Sequence, residues 1–197
     1  MSLQEELHEA KVELLNLLGL DSMRSSDSLD AMAEGEIKYI RDTKVNLKNT
    51  LGSQHLTEKE AALLALAVAV NEKNVALKEA FTRRARDLEA TDAEIGEIHA
   101  LTSLLGINNV FYRFRHFCDN KNYEQMPARI KMTLMARPVL GKEFFELASL
   151  AVSAVNGCEV CVNSHEQSVR QAGATEERIF DAVRLTSVVK GVSAIIN

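Results

Sequence analysis

Leu3, Leu7, Leu14, Leu17 and Leu18 stand among charged residues at the spacing of one helix face, and the pattern stops near Gly19. Residues 20–28 are rich in Ser and Asp and read as a loop. A second helix is expected over 28–51, with Ile37, Ile40, Leu47 and Leu51 on its apolar side, ended by Gly52-Ser53-Gln54. These first fifty residues have the pattern of an arm or cover and propose no chemistry.

Thr57-Glu58-Lys59-Glu60 is a capping-box sequence and opens a helix through the Ala/Leu/Val run to about Asn71. A charged helix follows over 75–88. Thr91-Asp92-Ala93-Glu94 is a second capping box, opening a helix to about Leu105. Residues 108–117 are crowded with aromatics and arginines, and 119–127 form a polar linker ending at Pro127. A short helix over 128–136 precedes Pro138. Three more helices are expected over 142–155, 157–172 and 175–190, with Gly173 at a helix C-cap.

Two blocks of the chain resemble each other. Val70-Asn71 matches Val155-Asn156 at an offset of 85; Ala90-Thr91 matches Ala174-Thr175, and Leu101-Thr102-Ser103 matches Leu185-Thr186-Ser187, both at 84. Each block reads as an apolar helix, a polar helix and a Thr-initiated amphipathic helix. The expected architecture is therefore all-α, a single domain over 1–197 with an N-terminal helical arm (1–55), a first repeat (56–118) and a second repeat (128–197).

Composition agrees with helix: only 9 Gly and 2 Pro occur, and Trp is absent. The 197 residues are enough for a substantial core. A net charge of −5 gives no electrostatic reason to expect nucleic acid or an anionic membrane. The charged N-terminal stretch does not read as a signal peptide, and the apolar run 61–70 is shorter than the roughly 20 residues a bilayer requires. A cytoplasmic location follows as the expectation, and paired cysteines there more often bind metal or do catalysis than form static disulfides.

The candidate chemistry concentrates in Cys158-Glu159-Val160-Cys161-Val162-Asn163-Ser164-His165. On a helix, Cys158 and Cys161 are i,i+3 neighbours and Cys161 and His165 i,i+4 neighbours, so all three share a face. Asn156 is a plausible N-cap, and Gly157 breaks the preceding apolar run. Thiols near a helix N-terminus are biased toward thiolate, and a neighbouring imidazole can move their protons, which is redox chemistry. Two other readings stand beside it: a pair of buried small hydrophobes, and three ligands of a zinc site, the latter lacking a second Cys or His pair. At offset 85 the first repeat has Lys73, Ala76 and Ala80 in place of Cys158, Cys161 and His165. The shared fold does not need the reactive side chains.

Glu146 is the only charge between residues 144 and 155. Buried, it would have a raised pKa and could pass protons near neutral pH; alternatively Glu146, Ser149 and Ser153 form a wet stripe. The first repeat has Ala61 there. Cys118, without a partner in sequence, reads as a packing residue, and His8, His55 and His99 as surface or cap residues. Arg113, Arg115 and His116 offer an anion contact or, the favoured reading, arginines stacked on aromatics in a packed turn.

Phe145-Glu146-Leu147, the run Ala151-Val152-Ser153-Ala154-Val155-Asn156-Gly157-Cys158, Cys161 and His165-Glu166 together resemble the AhpD-type alkylhydroperoxidases of the carboxymuconolactone decarboxylase-like superfamily. The segment Asn108-Asn109-Val110-Phe111-Tyr112-Arg113-Phe114-Arg115-His116 and the ending 188–195 add to the resemblance, which covers about 56–195. It implies an all-helical, two-repeat fold, a homotrimer, and reduction of organic hydroperoxides. The reductant it implies is a dihydrolipoyl group (dihydrolipoamide) on the acyltransferase of a 2-oxoacid dehydrogenase complex, with no tightly bound cofactor and no metal. An AhpC-type peroxiredoxin is the implied partner.

By position, Cys161 would be the peroxidatic thiol that becomes a sulfenic acid. Cys158 would be proton donor and resolving thiol in a Cys158–Cys161 disulfide, and His165 and Glu146 the proton relay. Many members have His where this chain has Val160, which cannot shuttle protons. The helix dipole favours Cys158 as the more acidic thiol, whereas the resemblance and the His165 spacing favour Cys161, and the reading follows the latter. The alternative function is a thiol–disulfide adaptor carrying electrons from lipoyl to a peroxiredoxin.

Overall fold

The computed structural model describes residues 2–196, and its regular structure is entirely helical. An arm of three helices comes first: α1 (Leu3–Leu17), α2 (Asp27–Glu34) and α3 (Tyr39–Leu51). Then follow α4 (Glu58–Asn71), α5 (Val75–Asp87) and α6 (Asp92–Phe117). A connector holding α7 (Lys121–Gln125) and a 3₁₀ turn (Thr133–Ala136) leads to α8 (Lys142–Val155), α9 (Glu159–Gln171) and α10 (Glu176–Ser193).

Helix α4 is apolar on all sides, and residues 61–69 are all buried. Such a helix belongs at the centre of a bundle. It packs against α5, α6, α8 and α10, with α3 of the arm also against it. The capping boxes form as the sequence indicates: the Thr57 and Thr91 hydroxyls accept from the Glu60 and Glu94 N–H groups, and those carboxylates accept from the Thr57 and Thr91 N–H groups. Each box satisfies two backbone donors that a helix start leaves unpaired.

Three expectations change. The helix expected over 28–51 is two helices, α2 and α3. The chain reverses at Glu36, which takes a left-handed backbone (φ 55), and Ile37 N–H reaches back to the Met32 carbonyl while Glu36 N–H reaches Ala33. This is the glycine-type helix ending with a non-glycine in the left-handed position, so Gly35 one place earlier gives a misleading signal. Helix α6 does not stop at Leu105 but runs to Phe117, because its second half packs on α8 and α9. The aromatic and arginine segment is thus helix rather than turn, with the Arg115 guanidinium 4.5 Å from the Phe111 ring centroid one turn away. The connector is helical at 121–125 and 133–136, not throughout 128–136.

The boundaries of α4–α5 and α8–α9 run in step at an offset of 84. Helices α4 and α8 both have 14 residues, α5 and α9 both 13. Lys73 and Gly157 hold the left-handed position after α4 and α8, and Asn74 and Cys158 are the N-caps that follow. The match of Val70-Asn71 at 85 is therefore one residue out of register. The true counterparts of Cys158, Cys161, His165 and Glu146 are Asn74, Leu77, Phe81 and Ala62. Leu77, Phe81 and Ala62 are fully buried. The contrast survives in sharper form: core packing in one half occupies positions that hold Cys161, His165 and Glu146 in the other.

Polar contacts follow the same offset. Lys59 pairs with Glu94 at 2.7 Å in the first half, and Glu143 pairs with Arg178 at 2.7 Å in the second, with the signs exchanged. Glu97 on α6 accepts from the Val139 and Leu140 N–H groups (2.9 and 2.6 Å), fixing the entry to α8. Its counterpart Asp181 on α10 accepts from the Ser53 hydroxyl at 2.6 Å and meets His55 Nδ1 at 2.7 Å, fixing the entry to α4.

Arg178 joins the halves. Its guanidinium forks onto Glu143 (2.7 and 3.0 Å) and Glu60 (2.6 and 3.1 Å) and donates to the His55 carbonyl at 2.7 Å. Removing the cation leaves two half-buried carboxylates facing each other, which is worse than losing a surface pair. Arg178→Met is expected to lower unfolding free energy by about 2–3 kcal/mol in urea titrations, whereas Arg41→Met at the exposed Glu6 pair should cost under about 1 kcal/mol.

Candidate active site

The site begins at the end of α8. Asn156 is the C-cap of that helix, not the N-cap of the next, because the chain turns at Gly157 with φ +67 and Cys158 N–H reaches back to the Ser153 carbonyl at 3.1 Å. Cys158 is itself the N-cap of α9, and its carbonyl accepts the first bond of that helix from Val162 N–H. The two sulfurs of Cys158 and Cys161 are bonded to one another, with Cα atoms 5.3 Å apart. Cys158 caps no N–H with its side chain.

Side chains from three helices pin the turn. Asn156 donates to Asn109 Oδ1 at 2.8 Å and accepts from Asn71 at 2.9 Å; its carbonyl accepts from Arg113 at 2.7 Å. Asn109 donates to the Ser153 hydroxyl at 3.0 Å. Arg113 is thus engaged by the backbone rather than by an anion. Nothing in the sequence pattern indicates this cluster, since its members are far apart in the chain.

Glu146 is 2% exposed and Ser149 and Ser153 are fully buried, so no wet stripe exists on α8. His165, one turn beyond Cys161, places Nδ1 2.7 Å from Glu146 Oε2. A carboxylate only accepts, so Nδ1 carries the proton and Nε2 is the ring nitrogen left for chemistry. The other oxygen of Glu146 accepts from Lys142, one turn earlier on α8. Burial alone pushes the Glu146 carboxyl upward, but the bonds from His165 and Lys142 outweigh it and hold the pKa below its ordinary 4.5. The shift is therefore downward rather than the expected upward one, because His165 and Lys142 both bond to the Glu146 carboxylate.

A cavity of about 340 Å³ opens on this group, lined by Asn108, Tyr112, Met132, Met135, Val160, Cys161, Ser164 and His165. Cys161 is on its wall and Cys158, fully buried, is not. Grooves of about 430 and 470 Å³ lie against the arm, and no Cys or His lines either. Among the described residues, no group of three or more His, Cys, Asp or Glu side chains is arranged to hold a metal ion, and no helix is long and apolar enough to cross a membrane. Cys118 is half-buried at the C-cap of α6 and free. His116 lies 3.4 Å from Glu159 across the α6–α9 contact.

The carboxymuconolactone decarboxylase family model matches residues 122–197. The alkyl hydroperoxide reductase AhpD of Solibacter usitatus is 37% identical over 169 residues, 86% of this chain and 95% of that protein. The AhpD of Anaeromyxobacter dehalogenans strain 2CP-C is 41% identical over 162 residues, 82% of this chain and 87% of that protein. That of Brucella canis is 34% identical over 84% of this chain and 94% of that protein. The fold is also that of a chain from Burkholderia xenovorans LB400 solved as a gamma-carboxymuconolactone decarboxylase subunit, with TM-score 0.67, 17% identity and coverage of 95% and 94%.

The Glu146 carboxyl has a folded pKa below its ordinary 4.5. Its stabilising contribution is fully present above pH 4.5 and is lost as pH falls through the lower folded value. The stability difference between the wild type and Glu146→Gln, measured by urea unfolding from pH 7 to pH 3, should accordingly narrow below pH 4.5. A difference that stays constant to pH 3 would contradict the ion-paired carboxylate.

Proposed function

The chain belongs to the AhpD family of alkyl hydroperoxide reductases, and from that premise we propose that it reduces organic hydroperoxides with the Cys158/Cys161 pair and is re-reduced by dihydrolipoyl groups. The observation that carries this reading is the asymmetry of the two cysteines: Cys161 lines the cavity beside His165, while Cys158 is buried beneath it.

In the reduced protein, His165 Nε2 takes the Cys161 proton, and the Glu146 carboxylate stabilises the imidazolium that forms. The Cys161 thiolate attacks the distal peroxide oxygen. The O–O bond breaks, an S–O bond forms, and the alkoxide leaves as alcohol with the proton from His165, so sulfur is oxidised to sulfenic acid as the peroxide is reduced. The Cys158 thiol then displaces water from that sulfur and forms the disulfide seen here. A dithiol reopens it by exchange, Cys161 being the sulfur within reach of a reductant entering the cavity.

On this reading the physiological dithiol is the dihydrolipoyl group of a 2-oxoacid dehydrogenase acyltransferase, an AhpC-type peroxiredoxin is a further recipient of electrons, and the protein works in the cytoplasm as a homotrimer. Val160 favours a second reading. It sits 40% exposed on the cavity wall and supplies no proton-carrying group there. A thiol–disulfide adaptor passing electrons from lipoyl to a peroxiredoxin requires less proton traffic than peroxide cleavage.

Consumption of cumene hydroperoxide with dihydrolipoamide as sole reductant is expected for the wild type and abolished in Cys161→Ser. Rapid reduction of the disulfide without peroxide turnover would select the adaptor instead. Cys158→Ser should accumulate a sulfenic acid that dimedone labels on Cys161 by peptide mass, whereas no adduct there, with an adduct on Cys158 of Cys161→Ser instead, would reverse the assignment. His165→Gln should slow turnover at least about 100-fold at pH 7 and far less at pH 9, where the thiol ionises unaided.

A further inference from the structure

The α6 wall of the cavity carries two polar side chains to which the steps above give no role. Asn108 and Tyr112 are one turn apart on that helix, so both face the same side, across from Cys161 and His165 on α9. Asn108 is 6% exposed, and its amide nitrogen donates to the Met132 sulfur at 3.2 Å. A thioether only accepts, so the nitrogen faces it and Oδ1 is left over. That buried oxygen has no hydrogen-bond partner among the described residues. The next residue, Asn109, has both ends of its amide engaged in holding the α8–α9 turn. Two adjacent asparagines on one helix are therefore used in opposite ways, and only Asn108 has an acceptor to spare.

The repeat supplies a comparison. At the offset of 84, Asn108 corresponds to Val192 and Tyr112 to Ile196, which are 1% and 0% exposed. The fold fills these two places with aliphatic side chains where there is no disulfide to serve. Tyr112 is held by its ring, edge-on to Phe111 with centroids 5.4 Å apart and with the Arg115 guanidinium 5.9 Å from its own centroid; among the described residues, no hydrogen bond engages its hydroxyl.

We propose that Asn108 and Tyr112 form the subsite that grips the two oxygens of the hydroperoxide. This rests on the hydroperoxidase reading. Asn108 Oδ1 accepts from the distal O–H, turning that oxygen toward the Cys161 thiolate. The Tyr112 hydroxyl donates to the proximal oxygen, where negative charge develops as the O–O bond breaks, in the manner of an oxyanion-hole donor. The net proton for the alcohol still comes from His165, so the balance is unchanged: thiol plus hydroperoxide gives sulfenic acid plus alcohol. Met132, Met135 and Val160 remain as the apolar wall for the alkyl group, which suits a hydroperoxide with a hydrocarbon substituent better than hydrogen peroxide.

Tyr112→Phe keeps the ring packing and deletes the donor; Asn108→Leu replaces the amide by a side chain of similar size. With each reduced variant, stopped-flow measurement of thiol oxidation by cumene hydroperoxide is expected to show a second-order rate constant roughly 100-fold lower for Tyr112→Phe and roughly 10-fold lower for Asn108→Leu. Alkylation of Cys161 by iodoacetamide and reduction of the disulfide by dihydrolipoamide should stay within about 2-fold of wild type, because neither reaction has a peroxide to hold. A hydroperoxide rate unchanged in both variants, with Cys161→Ser still dead, would overturn the subsite and leave the hydroperoxidase standing. Alkylation that falls in parallel with peroxide reduction would also overturn it, since the residues would then be acting on the thiol. A wild type that does not consume hydroperoxide would sink both.

Discussion

A single carboxylate inside an apolar helix governs how the second half of this molecule is assembled. Helix α8 is buried from Phe144 to Ser153, and Glu146 is the one charge in that stretch. An unpaired charge there would cost several kcal/mol, so the helix is stable only if partners arrive for both oxygens. Lys142 comes from the same helix and stays largely in solvent. His165 must come from α9, which fixes the rotation and register of α9 on α8. Once that register is set, Cys161, one turn before His165, has to face the cavity, and Cys158 has to lie below it. The polarity of the disulfide toward solvent thus follows from satisfying one buried charge.

The turn between the two helices is the complementary constraint. Gly157 supplies the left-handed backbone that reverses the chain, and the Asn71, Asn109 and Arg113 side chains hold Asn156 from α4 and α6. Backbone groups that a helix end exposes are satisfied here by neighbouring helices rather than by water. The cysteine pair is consequently mounted on a junction braced from the other half of the molecule, which fixes its position relative to His165.

The cluster of Cys158, Cys161, His165 and Glu146 was legible in the chain because its parts are local. Cys158, Cys161 and His165 lie within eight residues, and Glu146 announces itself as a lone charge in an apolar run. The all-helical class and the paired halves were legible too, through capping boxes and Thr-initiated helices. What the chain hides is whatever depends on long-range packing. Asn108, Tyr112, Met132 and Met135 share a cavity with Cys161 only because α6 continues beyond Leu105 and the connector folds back over it. The break at Glu36 is hidden because a glutamate occupies a position that glycine usually marks. The repeat was read one residue out because two identical residues outweighed the caps, which record backbone position more faithfully than side-chain identity does. The sign of the Glu146 shift was misjudged because Lys142 and His165 bond to it in space, a contribution that burial alone does not contain.

The exchanged signs of the two equivalent ion pairs bear on how a chain built from two like halves finds one fold. Helices α6 and α10 begin with the same cap and are similar enough that each could compete for the other's seat while the chain collapses. In the swapped arrangement Glu94 would meet Glu143 and Arg178 would meet Lys59, two repulsive contacts in place of two attractive ones. Glu60, reached by Arg178 across the boundary between halves, would be a third carboxylate in that cluster. The inverted ion pair therefore gives each half an address, and α10 is steered away from the seat beside the cysteine-bearing α9 that α6 occupies.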